Sequence, residues 1–208
     1  MTIRLYTWAT PNGRKVSIML EELGLDYVAV PIDINADAQF APEFLALNPN
    51  HKIPVIVDPD GPDGAPITLS ESGAILLYLA EKTGRFLPAD GAARYRAMQW
   101  LMFQMGAIGP MFGQLHHFRR TPVRHDYAFD RFQNETRRIY GILDGHLAAS
   151  DYLAGDEYGI ADIAAYPWIA RNSWHDTDLA GLPNVARWFG AVGSRATVRR
   201  GMEVPGAG

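Results

Sequence analysis

The chain has 208 residues, 48% of them hydrophobic and 20% charged, which is ordinary for a globular protein and long enough to bury a core. Its formal net charge is −4 and it has no long basic run, so we expect neither nucleic acid nor an anionic membrane as a partner. Cysteine is absent, which excludes a disulfide framework, a CxxC redox pair and a protein thiolate; any sulfur chemistry needs a ligand that supplies the sulfur.

The beginning of the chain, MTIRLYTWAT, lacks the basic and apolar regions of a signal peptide. Apolar runs elsewhere are too short to span a membrane. We therefore expect a cytoplasmic protein.

The first part of the chain predicts strands that alternate with helices. Apolar and polar residues alternate over 3–7, which predicts a strand. A helix follows and ends at Gly24, since apolar residues recur at i, i+3, i+4 and i+7, namely Val16, Met19, Leu20 and Leu23. We predict further strands over 27–32, 52–58 and 67–69, a short helix over 42–47 and an apolar helix over 71–82. The order is βαβ, helix, ββα.

The second part of the chain predicts only helices. Glycine and proline interrupt the pattern over 83–91, so we predict a domain from 1 to 84, a linker from 85 to 91 and an all-helical domain from 92 to 208. Two helices of that domain have predicted core faces, which are Tyr95, Met98, Met102 and Met105 in one and Phe129, Phe132, Ile139, Leu143 and Leu147 in the other. Two more helices are expected to begin near Ile160 and Pro183.

Four segments carry a resemblance to a known family: TPNGRKV, QFAPEFLALNPNHKIPVIVD, SESGAILLYLAEKTG and GPMFGQLHHF. In wording, order and spacing they resemble the bacterial nu-class glutathione transferases, which are similar to the fungal prion-type nitrogen regulators. The resemblance spans essentially the whole chain. It implies a thioredoxin-like α/β domain followed by an all-α domain, reduced or oxidised glutathione as cosubstrate, and a homodimer.

Thr10 and Asn12 lie in the turn between the first predicted strand and helix. Helix capping alone explains such residues. The same donors favour a thiolate, and lowering a thiol pKa by two units takes about 2.7 kcal/mol, which two or three charge-assisted hydrogen bonds supply. The resemblance implies that Thr10 and Asn12 are catalytic and hold the glutathione thiolate. Tyr6, whose counterpart activates the thiol in other transferase classes, is the alternative.

Ile53-Pro54 and Glu71-Ser72 are the predicted contacts to a peptide-like ligand. On structural grounds alone, a trans proline opens a strand and a capped helix begins near Ser72. The resemblance implies instead a cis Ile53–Pro54 bond, with the Ile53 backbone against the cysteinyl unit of glutathione. It places Glu71 on the ammonium and Ser72 on the carboxylate of the γ-glutamyl unit, where a helix N-terminus offers N–H donors.

Three further residues are weaker candidates, because each has an ordinary surface explanation. The resemblance implies that Gln39 and Lys52 contact glutathione, Lys52 at its glycyl carboxylate. Arg131 has a guanidinium fork suited to a carboxylate, or is an exposed helix charge.

The pair His116-His117 does not predict a metal site, since adjacent helical residues do not face each other. Asp162, preceded by Gly159, is expected to cap a helix.

The resemblance implies an enzyme that uses a glutathione thiolate to reduce small disulfides, with transferase or peroxidase side activity. Conjugation of an electrophile, or a dehalogenase or etherase reaction, is an alternative that needs the same thiolate. A third possibility is a protein that is not an enzyme, namely a regulatory module that binds glutathione.

Overall fold

The computed structural model describes residues 2–206, which divide into two compact units. The α/β unit comprises the chain up to Arg85 together with Arg195 and the residues after it; the helical unit comprises Phe86–Ser194. This architecture confirms the predicted fold class, an α/β domain followed by an all-helical domain. The limits predicted for the folding domains, 1–84 and 92–208, remain a prediction.

The α/β unit is built on a four-stranded sheet in the order β2-β1-β3-β4. Strand β1 pairs in parallel with β2 and antiparallel with β3, and β3 pairs antiparallel with β4. Up to Arg85, its strands and α-helices in chain order are β1 Ile3–Thr7, α1 Pro11–Leu23, β2 Tyr27–Pro31, α2 Pro42–Leu45, β3 Val55–Asp58, β4 Ile67–Ser70 and α3 Ser72–Thr83. All seven were predicted, with ends that differ by up to three residues.

Local sequence sets the ends of the first helix. Thr10 precedes α1 in an extended conformation and its hydroxyl accepts a hydrogen bond from Gly13 N at 3.2 Å, which satisfies one of the free donors of the first turn. Pro11 suits the first helical position because it has no N–H to leave unpaired. Gly24 ends the helix in the left-handed region, at φ 67°, where a side chain would be strained.

The helical unit contains five α-helices within the described residues: α4 Gly91–Phe103, α5 Gly109–Arg120, α6 Asp126–Leu147, α7 Ile160–Ile169 and α8 Pro183–Gly193. A π-helical turn, Gln104–Ile108, joins α4 to α5. The predicted core face of α6 is buried at Ile139, Leu143 and Leu147. Over residues 2–206, no helix combines the length and apolar character needed to cross a membrane.

The predicted core face of α4 is wrong. Tyr95 is 72% exposed and Met102 is 48% exposed, whereas Ala97 and Leu101 are buried. The two faces of α4 carry apolar residues at similar spacing, so periodicity does not tell them apart.

The last helix, α9 (Ala196–Met202), belongs to the α/β unit, whereas its sequence position lies within the predicted all-helical domain, 92–208. It packs against α1, and a Cβ on Gly201 would lie 2.5 Å from Ile18 Cα, so only glycine fits. Ser17 Oγ donates to Gly201 O at 2.6 Å, and Arg195 makes two hydrogen bonds with the buried Glu22 carboxylate, at 2.6 and 2.8 Å. These contacts attach the segment from Arg195 through α9 to α1.

Asp162 is a buried hub of the helical unit, in the structural role predicted for it. Its carboxylate accepts hydrogen bonds from Leu153 N at 2.9 Å, Gly159 N at 3.0 Å and Trp188 Nε1 at 2.7 Å. One side chain therefore joins the start of α7, the preceding loop and α8.

We expect Asp162→Ala to lower the free energy of unfolding by about 3 kcal/mol or more, because three buried donors lose their acceptor together. Urea unfolding followed by circular dichroism measures this change. Asp151→Ala is the control: Asp151 is exposed and pairs with Arg187 at 3.3 Å, so its loss is expected to cost less than about 1 kcal/mol. Equal effects of the two substitutions would contradict the role of Asp162.

Candidate functional site

Sheet topology brings three chain segments to one edge of the α/β unit. Tyr6 near the end of β1 is paired with Val55 at the start of β3, and Val55 is paired with Ser70 at the end of β4. The turn into α1, the loop into β3 and the turn into α3 therefore meet. A cavity of ≈ 150 Å³ lies there, lined by Asn12, Asn48, Lys52, Ile53, Pro54, Glu71 and Ser72. Five of the eight residues predicted for the site are in this lining.

Asn12 lines the cavity from the first turn of α1, whereas Thr10 does not. The Thr10 hydroxyl is engaged with Gly13 N, so the capping interpretation of Thr10 holds in this structure. Its catalytic role remains a prediction. Tyr6, the alternative activator, is half-buried beside Phe44 and is also outside the lining.

The Ile53–Pro54 peptide bond is cis, as the family resemblance implied. The preceding loop is held by Asn48, which is buried and which the sequence analysis did not single out. Asn48 Nδ2 donates to Lys52 O at 2.8 Å, and Asn48 Oδ1 accepts from Asn50 N at 3.0 Å. The sequence Asn48-Pro49 is typical of a turn, and this pattern could have indicated that Asn48 stabilises the loop.

Glu71 has the most unusual backbone at the site. Its φ is 66° and its ψ is 109°, a conformation that costs a residue other than glycine on the order of 1–3 kcal/mol. The turn places Glu71 just before α3 with an exposed side chain and makes Ser72, which is buried, the first helical residue. A carboxylate, a hydroxyl and a helix N-terminus therefore border one side of the cavity, an arrangement that can receive an ammonium group and a carboxylate together.

Lys15 adds a cation that the sequence analysis missed. It lies on α1, is 1% exposed, and its Nζ donates to Ser72 Oγ at 3.3 Å. Burial lowers the pKa of Lys15 to about 7, and the negative charge of Glu71 acts in the opposite direction. Nothing in the sequence pattern identified it, because a lysine in the first turns of a helix is normally exposed.

The other predicted site residues lie outside the lining. Gln39 is in a short turn, Ala38–Phe40, where its Oε1 is buried without a hydrogen-bond partner. Arg131 is exposed on α6, in the helical unit. Both remain predictions as glutathione contacts. Residues 2–206 contain no group of three or more His, Cys, Asp or Glu side chains placed to hold a metal ion.

Comparison with known proteins identifies the family. The models of the N-terminal and C-terminal glutathione S-transferase domains match residues 9–82 and 108–196. Over 197 residues the chain is 48% identical to the disulfide-bond oxidoreductase YfcG of Escherichia coli, an alignment that covers 93% of this chain and 91% of YfcG. The chain belongs to the glutathione transferase family. It is an enzyme of the YfcG and YghU type, since YghU of E. coli is 43% identical over 96% of this chain and 73% of its own length.

Solved glutathione transferases confirm the thioredoxin-like α/β plus all-α architecture. The protein of Burkholderia graminis superposes with a TM-score of 0.93 and 46% identity, over 100% of this chain and 90% of its own, and holds two glutathione molecules per subunit. The protein of Pseudomonas putida has a TM-score of 0.92 and 47% identity, over 99% of this chain and 92% of its own, and holds one glutathione disulfide per subunit.

We expect Lys15→Met to remove a pH dependence from the stability of this transferase. The ammonium has a pKa near 10.4 when unfolded, so between pH 7 and 10 the unfolded state binds more protons than the folded state. The free energy of unfolding of the original protein should therefore rise with pH relative to the variant, by at most about 1.4 kcal/mol per pH unit. Urea unfolding at several pH values in this range measures the difference. A constant difference would contradict the low pKa of Lys15.

Proposed function

We propose that this transferase binds glutathione in the cavity of the α/β unit and uses the glutathione thiolate to reduce small disulfides. The observation that carries the proposal is the convergence of Asn12, the Ile53 backbone and Glu71–Ser72 on one cavity in a protein that has no thiol of its own. Cytoplasmic glutathione is kept largely as the thiol, which makes the cytoplasm the compartment suited to this reaction.

The proposed contacts follow the shape of the tripeptide. Glu71 meets the γ-glutamyl ammonium, while Ser72 and the N-terminus of α3 meet its carboxylate. The Ile53 backbone pairs with the cysteinyl unit beside the cis proline. Lys52, exposed at the rim, meets the glycyl carboxylate. Together these contacts direct the cysteinyl sulfur towards the start of α1.

Asn12 is the proposed donor to the sulfur. Its position in the first turn of α1 adds the favourable field of the helix N-terminus to an amide donor, and both stabilise a thiolate over a thiol. Thr10 supports the same turn by capping the helix. The effect of both is a larger thiolate fraction near neutral pH, and the thiolate is the form that attacks a disulfide.

The reaction balances with two glutathione molecules. The first thiolate attacks one sulfur of the disulfide, the S–S bond breaks, and the leaving thiolate takes up a proton. The second glutathione thiolate attacks the mixed disulfide, which releases glutathione disulfide and the second substrate thiol. The two glutathione molecules and the glutathione disulfide in the related structures correspond to the reactant and product of this sequence, and this supports the proposal.

We expect Asn12→Ala to lower kcat/KM for reduction of hydroxyethyl disulfide by about 10- to 100-fold, because a charge-assisted hydrogen bond to the thiolate is lost. Conjugation of 1-chloro-2,4-dinitrobenzene should fall with it, since both reactions need the thiolate. Asn134→Ala, an exposed asparagine on α6, is the matched control and should retain full activity. Strong conjugation without disulfide reduction would contradict the proposed reaction. Full activity of Asn12→Ala would contradict the proposed donor.

We also propose that the protein is a homodimer, as the family resemblance implied. The exposed apolar side chains of α4, Tyr95 and Met102, lie seven residues apart on one helix face, and burial of such a face against a second copy would explain them.

In light scattering after size exclusion, we expect twice the chain mass of 23.0 kDa. Replacing both Tyr95 and Met102 with Glu should give the monomer, because the interface would then bury unpaired charges. Tyr127→Glu, at a tyrosine 79% exposed on α6, is the control and should stay dimeric. A monomeric original protein, or a dimeric double variant, would contradict this use of the α4 face.

A further inference from the structure

A fully buried ammonium group lies directly behind one wall of the cavity. Lys15 is 1% exposed, and charged side chains are almost never buried to this degree unless a partner charge or hydrogen bonds stabilise them. Its Nζ donates to the hydroxyl of Ser72, at 3.3 Å, and Ser72 lines the cavity. Ser72 therefore links this cation to the cavity.

In the hydrogen bond between Lys15 and Ser72, the lysine is the donor and the serine is the acceptor. The Ser72 oxygen accepts from the ammonium, so the hydroxyl proton points away from Lys15. A hydroxyl that accepts a bond from a cation is also a stronger donor, because hydrogen bonds in a chain polarise one another. The N-terminus of α3 begins at the same residue and likewise favours an anion.

The positive charge of Lys15 also attracts that anion. Glu71 is the negative side chain whose field reaches Lys15, and it is exposed at the turn before α3. A ligand carrying both an ammonium and a carboxylate would match this pair, with its ammonium at Glu71 and its carboxylate at Ser72 on the side of Lys15. The low-dielectric surroundings of a buried group strengthen the second contact.

We infer that Lys15 is a positioning residue for the α-carboxylate of the γ-glutamyl unit, orienting the Ser72 hydroxyl and supplying a positive charge from behind it. The inference rests on the proposed binding of glutathione. Its consequence is specificity: the site selects thiols that carry a free α-carboxylate on a γ-glutamyl unit over thiols of the same length that lack it.

Two ligands and one substitution test the inference by calorimetry. The ligands are glutathione and 4-aminobutyryl-cysteinyl-glycine, which keeps the ammonium and lacks the α-carboxylate. At about pH 6.5, where Lys15 is mostly charged, Lys15→Met should weaken glutathione binding about 10- to 30-fold and the analogue less than about 3-fold. Equal weakening of both ligands would make Lys15 a merely structural residue and overturn the inference.

Ser17→Ala is the matched control on the same helix. It removes another buried side-chain bond of α1, from Ser17 Oγ to Gly201 O at 2.6 Å, without touching the cavity. The affinity of both ligands should change less than about 2-fold. A loss of glutathione preference in this variant equal to that in Lys15→Met would assign the effect to α1 packing and overturn the inference.

A measurement on the original protein covers the case in which Lys15→Met does not fold. S-methylglutathione, which has no titrating thiol, should bind with proton uptake at about pH 7.5, because its carboxylate raises the pKa of Lys15. Calorimetry in buffers of different ionisation enthalpy detects the uptake. The S-methyl form of the analogue should bind without it; equal uptake by both, or by neither, would overturn the inference.

These binding experiments use no disulfide substrate. The original protein could fail to reduce disulfides while Lys15→Met selectively loses affinity for glutathione. That result would support the inference and contradict only the proposed reaction. Absence of glutathione binding to the original protein would overturn both.

Discussion

The bond between Lys15 and Ser72 connects the second turn of α1 with the first residue of α3, and the N-termini of these two helices border the cavity. The sheet makes this contact possible, since β1 and β4 both end beside the beginning of β3. Asn12, Ile53 and Glu71 come from three separate parts of the sequence and meet only because of that strand order. The site therefore depends on the position of α1, which packs against both the sheet and α9.

Charge distribution explains why such a site suits a zwitterionic tripeptide. Glu71 is exposed, whereas Lys15 is buried behind Ser72, so the cavity offers one charge directly and the other through a hydroxyl. The helix N-termini of α1 and α3 add positive potential at two points, the proposed positions of the thiolate and the carboxylate. In this way a protein without cysteine can use the sulfur of its ligand as the reactive group.

Much of the fold and part of the site could be predicted from the sequence, because they depend on local patterns. The periodicity of Val16–Leu23 and the glycine at 24 determine α1, and Ile53-Pro54 and Glu71-Ser72 lie in segments that identify the family. The exposed face of α4 could not be predicted, since both its faces are apolar. The packing of α9 and the burial of Lys15 are long-range contacts that no local pattern encodes.

The proposed reaction requires that the cavity hold glutathione with its sulfur ionised. Titration of the ultraviolet absorbance of the thiolate, with glutathione bound to the original protein, tests this most directly. We expect the bound thiol to have a pKa lower than that of free glutathione by about two units, the shift expected from one charge-assisted hydrogen bond together with the field of the α1 N-terminus. A bound thiol with the same pKa as the free one would contradict it.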